Sequence, residues 1–265
     1  MRIALGIEYD GTAYNGWQRQ KSGIGVQQRV EEALTRVANQ PVDTVCAGRT
    51  DTGVHASAQV VHFDTQSERE LRGWLLGTNS NLPDDISASW VRIVSEEFHA
   101  RFSALSRTYR YLILNRHVRS ALFRNRAWWV HQCLDLSAMQ KASASLLGRH
   151  DFSAFRAAGC QASTPVREVS AIDIESSGEW ISITIVANAF LQHMVRNIVG
   201  LLVSVACGES PVSRVQAVLD SRDRRVGGVT APPHGLTLTG VSYPEEFDLP
   251  AFDDRLGQAK EYGLS

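Results

Sequence analysis

Apolar residues alternate at Ile3, Leu5, Ile7 and Tyr9, the two-residue period of a strand. Val26, Val30, Ala33, Leu34 and Val37 then recur at the spacing of one helix face. A short strand is expected near Val42–Cys46 and another over Gln59–Phe63. Leu71, Trp74 and Leu75 mark a second helix, and Ile86–Val94 a closing strand. The predicted order is βαββαβ.

The second half of the chain repeats that order. Arg107–Leu114 reads as a strand, and Leu136, Met139 and Leu146 mark a helix. Val169–Ile174 and Trp180–Val186 flank "SSGE" as a hairpin. An apolar helix starts at Leu191, a short one lies near Val212–Leu219, and Leu236–Tyr243 is a last strand. The expected fold is α+β: two ferredoxin-like βαββαβ halves joined into one mainly antiparallel sheet. Helices would cover one face and a central cleft would open on the other. The halves would divide as 1–104, carrying a candidate catalytic loop, and 105–265, together forming one integrated catalytic unit.

Composition bounds the class. The 265 residues are enough for a sizeable core, and 43% are hydrophobic against 21% charged. The apolar run "AFLQHMVRNIVGLLVSVA" is interrupted by Gln192, His193, Arg196 and Asn197, which predicts a buried helix rather than a membrane span. Four scattered cysteines with no CxxC pair suit a reducing compartment, so a cytoplasmic protein is expected. No HExxH or other ligand cluster suggests a metal.

The net charge of -1 predicts no polyanionic partner, but the distribution points to a basic face. From Phe98 to Leu134 there is no Asp or Glu, while Arg101, Arg107, Arg110, Arg116, Arg119, Arg124 and Arg126 all fall there. Acid gathers instead at Glu245, Glu246, Asp248, Asp253 and Asp254.

Four places carry candidate chemistry. In "CAGRTDTGVHA" (Cys46–Ala56), Asp51 lies in the loop after the second strand, with Arg49 two residues before it. Asp and Gly suit any turn; an arginine so close is not a turn requirement. The loop has the GxxxxG spacing of a phosphate cradle, but Val54-His55 stands where Lys-Ser/Thr belongs. Arg196 lies in the apolar helix, so it either edges solvent or is buried and needs an acid or phosphate. Asp51 is a candidate partner. Tyr109, Tyr111 and Ile113 share a strand face, either as ordinary packing or as a platform on which a base stacks while arginines hold phosphates. "YDGTAYNGWQRQ" (Tyr9–Gln20) is either a loop anchored by Trp17 or one that touches a substrate.

"GRTDTGVHA" (Gly48–Ala56) closely resembles the tRNA pseudouridine synthase A family. "ALGIEYDGTAYNGWQRQ", "VVHFDT", "FHARFSA" with "RTYRYLILN", "HDFSAFR" and "NAFLQHMVRNIVG" resemble that family's segments in the same order. "GLTLTGVSYP" is similar more loosely. The resemblance implies isomerisation of uridine to pseudouridine at positions 38, 39 and 40 of the tRNA anticodon stem-loop, by a homodimer without a cofactor. It places the catalytic aspartate on Asp51 and the base-flipping arginine on Arg49. The tyrosine against the uracil falls on Tyr109, the arginine that pairs with the aspartate on Arg196, and an apolar neighbour of the base on Leu236. Thr52 departs from the Ala common in relatives.

The chemistry is consistent with that layout. The uracil must leave its ribose, rotate and rejoin through C5, so the nucleotide must first leave the stem. A protein that binds single-stranded RNA on a ferredoxin-like sheet without turnover is the alternative class. Such a binder has no need of Asp51, Arg49 and Arg196 together.

Overall fold

The computed structural model describes residues 1–20 and 22–250; the acidic residues Asp253 and Asp254 lie outside them. Ten strands and five α-helices follow in chain order among the described residues. They are β1 (Arg2–Tyr9), α1 (Val26–Ala38), β2 (Val45–Cys46), β3 (His55–Asp64), α2 (Leu71–Asn81), β4 (Ile86–Val94), β5 (Ser106–Asn115) and β6 (Trp128–Val130). Then come α3 (Leu136–Ser143), β7 (Gly148–Asp151), β8 (Val166–Ser177), β9 (Trp180–Ala187), α4 (Met194–Ala206), α5 (Arg214–Ser221) and β10 (Leu236–Ser242). The fold class is α+β with mainly antiparallel strand pairing, as expected. Among the described residues, no helix is long and apolar enough to cross a membrane.

Among the described residues, contacts divide the chain into two units: Met1–Arg107 with 237–250, and Thr108–Leu236. A division at 104/105 would leave the closing strand in the second half. Instead β10 counts with the first unit, where Thr237 and Leu238 pair in parallel with His55 and Ala56 of β3.

In the first unit β1 is central, antiparallel to β3 on one edge and to β4 on the other. The remaining edge of β3 is shared, with β2 pairing at Val61 and His62 and β10 at the opposite end. Strand order β4-β1-β3 with β2 outermost is the ferredoxin-like arrangement. Because β2 is only two residues long, the chain leaves the sheet at Ala47 and rejoins it at His55. Asp51 lies in that excursion.

The stripe Val26, Val30, Ala33, Leu34 and Val37 of α1 is buried throughout. Each buried Val or Leu contributes about 1.5–3 kcal/mol. α1 ends at Asn39, whose left-handed backbone (φ 53°) is a common helix stop. α2 packs on α1 and β4, with Trp74 against Phe63 of β3 (ring centroids 5.3 Å). The opposite face of this sheet is also covered. Ala4, Val60 and Val94 form a cluster with Ala47, Phe98 and Ala100, and Tyr243, Phe247 and Leu249 pack over it.

In the second unit the order is β5-β9-β8-β7, with β6 parallel to β5. The hairpin β8–β9 turns at Gly178 with φ 57°, a conformation glycine adopts at no steric cost. α4 packs against α3 and α5 and is buried at nearly every position.

Candidate active site

The loop between β2 and β3 alternates in exposure: Arg49 and Thr52 are exposed, Asp51 is half-buried, and Thr50 points into the core. Four residues of the excursion, Ala47, Gly48, Thr50 and Gly53, are tied down. The Ala47 carbonyl accepts from Arg107 Nη2 at 2.9 Å and from Nε at 3.3 Å. Gln59 Nε2 donates to the Gly48 carbonyl at 2.6 Å, while its Oε1 accepts the Gly48 N–H at 3.4 Å. Thr50 Oγ1 lies 2.8 Å from the Tyr9 hydroxyl, and its carbonyl accepts the Trp17 N–H at 3.0 Å. Gly53 N–H donates to Tyr14 O at 3.3 Å. The result is a rigid bed under a half-buried carboxylate.

The segment after β1 supplies much of that bed. Trp17 is 1% exposed and packs against Tyr9 at 5.9 Å, so of the two readings of "YDGTAYNGWQRQ" the packed loop holds for its tryptophan. Gly16 has φ +85°, and a Cβ there would lie 2.6 Å from the Thr50 carbonyl. Only glycine lets the two loops approach this closely. At the other end of the excursion, buried His55 places Nδ1 3.1 Å from the Gly11 N–H and 3.1 Å from Asp10 Oδ1.

Charge around the loop is uneven. Burial pushes the Cys46 thiol up to about 12, and the nearby charge of Arg49 opposes that rise. Burial also raises the Tyr9 phenol above its ordinary range, ahead of the opposing hydrogen bonds from Thr50 and Gln59. Tyr9 is therefore a neutral hydroxyl at any working pH. On the other sheet face His62 is pushed down to about 4, first by burial and then by Arg2 and His99.

The other candidate residues belong to the second unit. Tyr109 is 7% exposed and meets the Phe190 ring edge-on at 5.0 Å. Tyr111 and Ile113, in phase with it on β5, are fully buried. Arg196 is half-buried near the start of α4, and its Nε donates to the Ala231 carbonyl at 2.8 Å. The Ala231 N–H donates back to Arg196 O at 3.0 Å. This close approach requires a glycine one turn along: a Cβ on Gly200 would fall 1.9 Å from the Val229 carbonyl. Tyr111 then donates its hydroxyl to Pro232 O at 2.7 Å. The segment 229–235 is thereby clamped between α4 and β5, and it delivers Leu236, 5% exposed, to the start of β10. Arg49 and Asp51 thus share one loop in the first unit, and Tyr109, Arg196 and Leu236 share one framework in the second.

The arginine run separates into two kinds. Arg107, expected beside an RNA platform, is 7% exposed and donates to the main-chain carbonyls of Ala47, Ala104 and Arg101. It is a strut, not a phosphate grip. Its even spacing from Tyr109, Tyr111 and Ile113 puts it on their buried face, a signal present in the sequence. Arg116 pairs with Glu179 at 3.1 Å. Arg101, Arg119, Arg124 and Arg126 are exposed. Tyr9 and Thr50 lie inside quoted motifs and Gln59 in a strand, but none of the three stood out there as a reacting group.

The tRNA pseudouridine synthase family profile matches residues 6–103 and 142–244, so both the Asp51 loop and the Arg196 helix fall within it. The chain belongs to that family. A tRNA pseudouridine synthase A of Pseudoalteromonas atlantica is 54% identical over 250 residues, covering 94% of this chain and 95% of that protein. Proteins of the same name from Pseudomonas aeruginosa and Coxiella burnetii are 52% and 53% identical, each over 94% of this chain and over 88% and 95% of their own lengths.

Proposed function

We propose that the protein isomerises uridine to pseudouridine in tRNA, at positions 38, 39 and 40 of the anticodon stem-loop, with Asp51 as the catalytic carboxylate. The observation that carries this reading is the half-buried Asp51 on a loop fixed at Ala47, Gly48, Thr50 and Gly53, inside the region matched by the family. A surface turn has no use for so many constraints. A reacting group does, because a small misplacement costs rate.

In this account the target nucleotide is extruded from the stem at a cost of a few kcal/mol. Arg49, exposed beside Asp51, enters the vacated space or holds the displaced backbone. Asp51 then acts as nucleophile or base where uracil joins ribose. The detached uracil is retained, turned and rejoined through C5, with Tyr109 covering the base and Leu236 beside it. Arg196 serves as the cationic partner of the carboxylate. No cofactor takes part, and the working form is a cytoplasmic homodimer.

Mapping the product tests the positions. Unmodified tRNA transcripts are incubated with the protein, then treated with a carbodiimide that marks pseudouridine as stops in reverse transcription. Stops at 38, 39 and 40 where uridine stands there are expected. Stops confined to another arm of the tRNA would overturn the assignment.

A further inference from the structure

We propose that the buried hydroxyl pair Tyr9–Thr50 is a positioning device that sets Arg49 and Asp51 for reaction; this rests on the reading of Asp51 as the catalytic carboxylate. Thr50 is the one residue between them, and its side chain turns inward while Arg49 faces solvent. An anchor at this position fixes both neighbours at once.

The pair is sealed in the core. Tyr9 is 4% and Thr50 7% exposed, with 2.8 Å between their oxygens. Gln59, fully buried on the neighbouring strand, holds both main-chain groups of Gly48. From Gly48 to Thr50 the loop is therefore tied to β1 through Tyr9 and to β3 through Gln59, both buried polar side chains. Each strand contributes a polar residue where its neighbours are apolar: Tyr9 closes the run Ile3, Leu5, Ile7, and Gln59 pairs across the sheet with Ile7. Buried polar groups are costly unless satisfied, and when satisfied they specify one arrangement. Here the arrangement specified is that of the loop.

Tyr9 and Thr50 touch no reacting atom in this account. Their loss acts on the extrusion and reaction steps through Arg49 and Asp51 rather than on the initial docking of tRNA, which the other exposed arginines serve. Neither Tyr9→Phe nor Thr50→Val changes side-chain volume much, so both keep the packing while removing the bond.

The test measures steady-state kinetics on a tRNA transcript labelled with tritium at uridine C5, with thermal unfolding alongside. Thr50→Val and Tyr9→Phe are each expected to lower kcat by about 10–100-fold with KM changed less than about threefold. Thr50→Ser, which keeps the oxygen, restores most of kcat. The double variant should be no worse than the poorer single one, because the coupled partners act as a unit. Wild-type kcat in both single variants, or a fall in melting temperature alone, overturns the proposal. Asp51→Asn in the same assay separates the two claims. If it is inactive while Thr50→Val and Tyr9→Phe are fully active, the device fails and the catalytic reading stands; if it turns over, both fail.

Discussion

Gln59 grips Gly48 by both main-chain groups, accepting its N–H at 3.4 Å and donating to its carbonyl at 2.6 Å. The amide side chain thus replaces the strand partner that Gly48 lost when β2 ended at Cys46. The loop leaves the sheet without leaving its hydrogen bonds unmet.

Gln59→Leu should therefore lower stability by about 1–3 kcal/mol, since it strands two main-chain groups of Gly48 beside a buried apolar side chain. Denaturant unfolding reads this from the midpoint. An unchanged midpoint would mean that water or another side chain replaces the clamp.

Arg107→Met should be more damaging, because it removes the donor set for Ala47, Ala104 and Arg101 together. A loss of about 2 kcal/mol or more is expected, and Arg107→Lys should recover only part of it, since an ammonium cannot reproduce the guanidinium fork. By contrast Arg119→Ala, at an exposed position, should leave stability unchanged. It should make the dependence of log affinity for tRNA on log salt shallower by about 0.7–0.9, as for one lost phosphate contact. Equal salt slopes for Arg119→Ala and wild type would remove it from the RNA-binding face.

Gly16→Ala should impair both folding and turnover. The new Cβ would meet Thr50 O at 2.6 Å in a backbone conformation with φ +85°. Strain of about 1–3 kcal/mol is expected, read as a lower unfolding midpoint and a reduced kcat. A fully active, equally stable variant would show that the two loops can separate without consequence.

These residues mark where the sequence was legible and where it was not. The α1 stripe was readable because burial imposes a period on the apolar positions. β6 and β7, at three and four residues, are too short to show one, and β7 is polar besides. The parallel pairing of β10 with β3 was invisible for a different reason. Alternation shows that a strand exists but not which strand lies beside it. In the site, Asp51 and Arg49 stood out by chemical type within a motif. Tyr9, Thr50 and Gln59 did not, because each is an ordinary residue whose role comes from being buried beside the others.

Acid should weaken the fold through His62. Its folded pKa, about 4, lies below the unfolded value near 6.5, so between these limits the unfolded chain binds more protons. The neutral ring accepts the Ala100 N–H at Nδ1, 3.1 Å away. Its contribution is fully present above about pH 6.5 and is lost as pH falls toward about 4. His62→Asn should flatten the stability profile across that window. A profile as steep as that of the wild type would assign the acid sensitivity elsewhere.

The central claim is that Asp51 performs the isomerisation. The most direct measurement is tritium release from a tRNA transcript labelled at uridine C5, with EDTA present and no nucleotide added. Wild type should release tritium to water, and Asp51→Asn should release none while still binding the tRNA. Release by Asp51→Asn at the wild-type rate, or none from the wild type despite tight binding, would contradict the account.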